Sequence, residues 1–203
     1  MDDGIEARIR RLYSAVEATS SSDLSDVRTA EWQAGNTQWA YADFRGGLSA
    51  EQLHNVAHTA IMNVANLRNH LYAWAGRNGK DAEPITEAVR QSWSLRVMID
   101  LANNERHSYP PKPGASKTGQ YPRLIDVDRA MTPAPGVPFV FLPTAAGLKT
   151  ISGSASLIIT GTIVDQNGVR IGDFERAMYD AVEAWEKVFA EFGLLTGESN
   201  GSA

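Results

Sequence analysis

The chain has 203 residues, of which 43% are hydrophobic and 21% charged, and its formal net charge is −5. This length fits one domain with a substantial core, and the acidic balance argues against a protein that coats nucleic acid. The absence of cysteine excludes disulfides, thiolate catalysis, and zinc or iron–sulfur sites built on cysteine.

A short amphipathic helix is predicted near the start of the chain, over residues 4–18. Its apolar residues recur at helical spacing and share one face: Ile5, Ile9, Leu12 and Val16. The next segment, residues 24–47, combines aromatic side chains with several glycines. A broken helix, or a loop that packs its aromatic residues on the body of the protein, is predicted there.

The strongest helical pattern covers residues 50–76. Ser49 is a favourable N-cap, and Gln52, three residues later, completes a capping box. One continuous apolar stripe runs along this helix, and Gly79 helps to end it. The exception is Arg68, which lies inside the apolar arc. Its guanidinium therefore needs an anion, carbonyl groups or a route outward to solvent.

The next helix is predicted from about Asp81 to Asn104, and the stretch Trp93–His107 is apolar almost all the way round. Four polar residues lie within roughly 60° of one another on this stretch, at 100° per residue. We call them the seam: Arg96, Asp100, Asn103 and His107. The seam either meets water or forms the wall of a polar site. A pairing of Arg68 with Asp100 is one possibility.

Antiparallel β-structure is predicted over residues 121–172, because short runs rich in isoleucine, valine and threonine alternate with turn residues. Asn167 and Gly168 form the strongest hairpin-turn signal. The loop before this region, residues 114–120, is small and polar. It lacks the spacing of a Walker phosphate loop, so a flexible surface loop is predicted. A last amphipathic helix is predicted over residues 173–193.

The predicted elements form a single α+β domain over residues 1–203. Its main part is an α-helical bundle of antiparallel helices, and a small antiparallel β-meander is inserted before the C-terminal helix. In chain order, the parts are an N-terminal helix with an aromatic-rich connection, a helical hairpin, the β-meander and the C-terminal helix. Their boundaries are 1–47, 48–107, 121–172 and 173–193. No leader or long apolar run is visible, so we expect a cytoplasmic protein that does not enter membranes.

Two polar clusters attached to buried helices are candidates for chemistry, residues 68–70 and 103–107. Histidine can act as acid or base near neutral pH, and arginine can hold a phosphate in a forked grip. A set of five residues could therefore cleave RNA, using the 2′-hydroxyl of the RNA as nucleophile: His107, Asn103, Arg68, Arg96 and Asp100. In the structural alternative, Asn103 and Asn104 close the C-terminus of the helix, and Arg106 and His107 favour its negative end.

A metal site is a weaker possibility. His54 and His58 lie one helical turn apart, a spacing that can chelate a metal ion. The metalloprotease pattern requires glutamate directly after the first histidine, and Asn55 stands at that position. We therefore expect no metal and no cofactor.

Two segments carry a resemblance to known proteins, Leu67–Trp74 and Asp100–His107. They resemble a group of bacterial and phage helical proteins with an R-D/N-H-L segment followed by D-L-A-N-x-x-K/R-H. A β-hairpin and a last helix with a buried tryptophan, here Trp185, complete the likeness over roughly residues 50–192. In outline the chain is similar to HEPN domains, which occur among bacterial toxins and defence nucleases. No histidine here follows an arginine at the HEPN spacing, so no catalytic residue is transferred from that family.

Two functions are predicted from these observations. The first is a helical interaction module that works through a protein partner or as a homo-oligomer, in phage or bacterial defence. The apolar surface of residues 93–104 could serve as its dimer interface. The second is a HEPN-like, metal-independent ribonuclease or toxin that binds RNA. That function needs His107 and Arg68 or Arg96 to line one open cleft.

Overall fold

The computed structural model describes residues 4–107, 114, 116–136, 138–144 and 147–194. Within these ranges the chain forms five helices and eight strands. The helices are α1 (Ile5–Glu17), α2 (Ala50–Arg77), α3 (Glu83–Gln91), α4 (Trp93–His107) and α5 (Phe174–Phe192). The strands are β1 (Ser20–Ser21), β2 (Arg28–Ala34), β3 (Thr37–Asp43), β4 (Arg123–Pro133), β5 (Val140–Thr144), β6 (Gly147–Ser152), β7 (Ala155–Val164) and β8 (Arg170–Asp173).

Strand β7 is the centre of the main antiparallel sheet. One of its edges pairs with β4 along most of its length. The other edge pairs with β1 near Ile158 and with β8 from Thr162 onward. Strands β2 and β3 form one separate hairpin, and β5 and β6 form another. The β5–β6 hairpin therefore separates β4 in sequence from its partner, β7.

The predicted helical bundle with a small β-meander is wrong. The described strands build three sheets, and β4 pairs with β7 instead of with its neighbour in sequence. Strand β7 has alternating buried residues along its length, among them Ile159 and Ile163 in the main core. Strand β5, in contrast, exposes Val140 and Leu142. Burial of apolar side chains thus favours β7 as the central strand.

A β-hairpin occupies the segment for which a broken helix or a loop was predicted. Strands β2 and β3 pair in register, with Trp32 opposite Trp39. Gly35 has a φ angle of 60° in the turn between them, a conformation that glycine adopts readily. The glycines that suggested an irregular segment therefore include the one that allows the strands to pair.

The helix predicted from Asp81 to Asn104 is two helices that meet at Ser92. This residue has an extended backbone, with φ −84° and ψ 111°. Its Oγ accepts a hydrogen bond from the backbone N–H of Leu95 at 3.1 Å. Because a serine in this conformation caps a helix N-terminus, α3 ends here and α4 begins at Trp93. The capping box predicted at Ser49 is confirmed, with both of its hydrogen bonds formed.

Helix α4 lies in the main core, in contact with α2, α3, α5 and β4. All of its central apolar residues are buried: Leu95, Val97, Met98, Ile99, Leu101 and Ala102. Since this surface is used within the chain, it is not available for the dimer interface considered from the sequence. Helix α5 is joined to α2 by a hydrogen bond from Trp185 Nε1 to the carbonyl of Val64, at 3.0 Å.

The first and last helices also make direct contact. The hydroxyl of Tyr13 on α1 donates a hydrogen bond to Oε1 of Glu186 on α5, at 2.9 Å. Burial, followed by this hydrogen bond and the charge of Glu186, raises the pKa of Tyr13 to about 12. Within the described residues, no helix has the length and apolar character needed to cross a membrane.

Candidate functional site

The seam residue Asp100 is buried in the protein, with only 2% of its surface exposed. Its Oδ2 accepts hydrogen bonds from Ser116 Oγ at 2.6 Å, and from the backbone N–H and Oγ1 of Thr118, both at 2.8 Å. Its Oδ1 accepts the backbone N–H of Lys117 at 2.6 Å. These four donors offset the loss of water around a buried carboxylate.

The loop after α4 is organised around this carboxylate. Ser116 Oγ accepts the backbone N–H of Gly119 at 3.0 Å, and Thr118 Oγ1 accepts that of Gln120 at 3.1 Å. The sequence predicted a flexible surface loop here. Residues 116–120 instead form a turn held on Asp100, because short hydroxyl side chains can bond both the carboxylate and their own backbone.

The other seam residues are not joined into one hydrogen-bonded group. Nε of Arg96 is buried and has no hydrogen-bond partner among the described residues. Asn103 is half-buried, and its side chain forms no hydrogen bond within the ranges given above. His107 is the last residue of α4, and its side chain lies outside the described residues. Among the seam side chains that the structure describes, Arg96, Asp100 and Asn103, there is therefore no acid–base pair.

Arg68 does not pair with Asp100. Its Nε and Nη2 both lie 3.4 Å from Oδ1 of the adjacent Asn69. The pairing considered from the sequence fails because the loop already supplies the donors for the Asp100 carboxylate. Arg68 is half-buried. Its apolar stem therefore covers part of the stripe on α2 while the guanidinium remains near the surface.

His70 lies on α2 beside two arginines of α1. Burial, followed by the charges of Arg8 and Arg11, lowers the pKa of His70 below its usual value. His54 and His58 lie nearer the start of the same helix. Among the described residues, no group of three or more histidine, aspartate or glutamate side chains could hold a metal ion.

A groove with a volume of about 740 Å³ lies between α3 and α5. Its floor consists of small or apolar residues from both helices: Pro84, Ala88, Ala184 and Val188. Its walls are mostly acidic: Asp81, Glu83, Glu87, Asp180, Glu183 and Glu191, with Lys187 as the cation. None of the four catalytic candidates with a described side chain lines it: Arg68, Arg96, Asp100 and Asn103. The groove is a concave surface with an apolar floor, the kind of surface that can hold a ligand.

This groove was not predicted from the sequence, although part of its signal is local. On α5, Asp180, Ala184 and Glu191 recur at helical spacing, with a small residue between two acids. An alanine on the flank of an apolar stripe is common, however, and does not reveal which helix lies opposite. Only the fold shows that α3 supplies the second wall.

Comparison of this chain with protein-family models, with curated proteins and with solved structures found no match. The function proposed for this protein therefore depends on the geometry of the molecule alone.

Proposed function

We propose that this protein is a binding module that recognises another protein through the α3–α5 groove. The observation that carries the proposal is the groove itself, an open apolar floor between two acidic helix faces. Helices that leave such a floor uncovered commonly bind a peptide segment there. Both helices pack on α4 in the main core, so the groove is formed before any partner arrives.

A ribonuclease that uses the seam has less support. Such an enzyme needs a base, a phosphate-binding cation and the RNA in one open cleft. The carboxylate of Asp100 is occupied by the loop, and Arg68 is directed to Asn69. The groove between α3 and α5 contains neither arginine of the candidate set.

Site-specific photocrosslinking in the native cells tests the binding proposal. A benzoylphenylalanine is introduced at Gln91, an exposed residue that lines the groove, and in a second variant at the exposed Glu105 on α4. Light should produce a heavier covalent adduct from the Gln91 position and none from the control position. Equal adducts at both positions, or none at Gln91, would show that the groove does not recognise a protein.

Incubation of the purified protein with RNA tests the enzymatic alternative. The intact chain and a His107→Ala variant should both leave the RNA full-length, because the proposal assigns no chemistry to the seam. RNA that is cut by the intact chain but not by the variant would overturn the proposal and favour the nuclease.

A further inference from the structure

We propose that the partner segment is a short amphipathic helix with lysine and arginine on either side of an apolar stripe. This inference rests on the proposed function, and it adds the chemistry of the partner. Three properties of the α3–α5 groove support it: the size of its floor residues, its length and its charge.

The floor allows a helix to approach closely. Ala88 and Ala184 are half-buried, and each presents only a methyl group to the groove, while Val188 lies buried beneath. Packed helices lie about 8–10 Å apart, and small residues at the contact favour the short end of that range. A third helix can therefore rest between α3 and α5 with its apolar stripe on the two alanines.

The length of the groove sets the length of the segment. On α5 the lining residues run from Asp180 to Glu191. At 1.5 Å per residue, this stretch rises about 16 Å, which corresponds to about three helical turns. A partner helix of that length presents apolar residues at positions i, i+3 or i+4, and i+7 to the floor.

The charge of the groove selects a basic partner. Lys187, the groove's cation, is paired with Glu183 at 2.9 Å, and Glu87 is paired with Arg90 outside the groove. Three wall carboxylates have no cation partner among the described residues: Asp81, Glu83 and Glu191. Lysine or arginine on a docked helix would complement them, whereas phosphate groups of RNA or lipid would be repelled.

Segments of this chain fit the groove less well. Residues 195–203 contain one acid, Glu198, and no lysine or arginine. Helix α1 carries arginines, but its apolar residues, such as Ile9 and Leu12, are buried in the main core. Helix α1 of a second copy could therefore offer basic side chains without an apolar stripe, so we assign the groove to a different protein.

Selection from a random peptide library displayed on phage tests the inference with the full-length chain. Peptides of about 16 residues are long enough for three helical turns. Binders are then measured on three variants: Ala184→Trp, which fills the floor, Glu83→Lys/Glu191→Lys, which reverses two wall charges, and Glu105→Lys. The last is the control, because it makes one Glu→Lys substitution outside the groove, on α4. Circular dichroism and thermal unfolding establish that each variant is folded.

The expected binders have lysine and arginine beside an apolar stripe. Their affinity should fall about tenfold on the wall-reversed variant and with added salt, since unlike charges are then lost or screened. Ala184→Trp should abolish binding, and Glu105→Lys should leave it unchanged. Binders that need Ala184 but lack basic residues would overturn the charge inference and leave the proposed function intact. Absence of any binder that needs Ala184 would overturn both. A dimer that Ala184→Trp dissociates would replace the partner with a second copy.

Discussion

Asp100 shows how a single buried charge can fix a connection between a helix and a sheet. No cation among the described residues lies in ion-pair contact with its carboxylate, and all four of its hydrogen-bond donors come from three consecutive loop residues. Hydrogen bonds to a charged group are stronger than those between neutral groups. The residue that resembled a catalytic acid is therefore an anchor for the loop that leads from α4 into β4.

Replacing Asp100 with alanine should lower the free energy of unfolding by about 3 kcal/mol. The change leaves the backbone N–H groups of Lys117 and Thr118 without their acceptor, and urea unfolding measures the loss. Asn103→Ala, one helical turn away on the same seam, is the control and should change stability by less than about 0.5 kcal/mol. Equal losses in the two variants would show that the carboxylate is not an anchor.

His70 should make the protein less stable at mildly acidic pH. In the unfolded chain a histidine has a pKa of about 6.5. The pKa of His70 is lower than this in the fold, owing to burial and to Arg8 and Arg11. The unfolded state therefore binds the proton first, and the free energy of unfolding falls as the pH drops below about 6.5.

The variant His70→Gln removes this titration, so its stability relative to the parent should improve as the pH is lowered. Urea unfolding of both proteins at about pH 7.5 and 5.5 measures the difference. His54→Gln, on the exposed side of the same helix, controls for the loss of any histidine. An equal loss of stability at low pH in the parent and in His70→Gln would contradict the assignment of this pH dependence to His70.

The sequence identified Asp100 as an unusual residue but did not predict its role. Counting 100° per residue places a carboxylate on an otherwise apolar helix, which is a local property. The donors lie 16 to 18 positions away. Ser116, Lys117 and Thr118 are residue types that also occur in solvent-exposed loops, so no spacing rule predicts that they return to α4. Whether these three residues reach Asp100 depends on the position of β4, the strand that follows them, in the sheet.

At the scale of elements, two glycines with different surroundings illustrate how strands and helices constrain their neighbours. A Cβ atom added at Gly172 in β8 would lie 2.8 Å from Cη2 of Trp93, the first residue of α4. A Cβ atom at Gly76, in the last turn of α2, would meet nothing within 4 Å. The glycine in β8 thus lets α4 begin directly against the sheet.

Substitution of these glycines by alanine should therefore have opposite effects. Gly172→Ala should destabilise the fold by about 1–3 kcal/mol, because the indole of Trp93 must move. Gly76→Ala should stabilise it by about 0.5 kcal/mol, since alanine loses less backbone entropy in a helix. Thermal unfolding of both variants provides the measurement. A neutral Gly172→Ala would mean that the contact with Trp93 adjusts without cost.

The helices were easier to predict than the strand partners. Apolar stripes and helix-capping residues predicted the bounds of α2 and α5 nearly to the residue. Both kinds of signal depend on side chains within a few positions of each other. The break at Ser92 was missed, since serine is tolerated inside helices. The pairing of β4 with β7 is decided by which strand buries apolar residues on α2 and α5, and that information is spread over the whole chain.

On the scale of the whole molecule, the described residues form two apolar cores of unequal size. The larger contains residues from all five helices and from β7. The smaller lies under the two hairpins and consists of Leu24, Val27, Leu148, Ala155 and Leu157. Strand β5 also exposes three consecutive apolar residues, Val140 to Leu142. The hairpins are thus held by much less buried apolar surface than the helices.

Native-state hydrogen exchange should reveal this difference. Amides of β2–β3 and β5–β6 should exchange through openings of low free energy, while those of α2, α4 and α5 should require global unfolding. Mass spectrometry of peptic fragments resolves the two groups. Leu148→Ala should accelerate exchange in the hairpins and leave α4 protected. Uniform protection across both groups would show that the two cores unfold as one.

The contact between Tyr13 and Glu186 joins residues 173 positions apart, and β1 pairs with β7 across most of the chain. Helix α1 packs mainly on α2, and α2 also packs on α5, so a ribosome must deliver nearly all of the polypeptide before this helix pair is fully covered. A message with a stop codon within α5 would release a product in which the α1–α2 pair lacks the apolar cover that α5 provides. Such truncated products should be removed by cellular proteases, and full-length translation is the condition for a folded molecule.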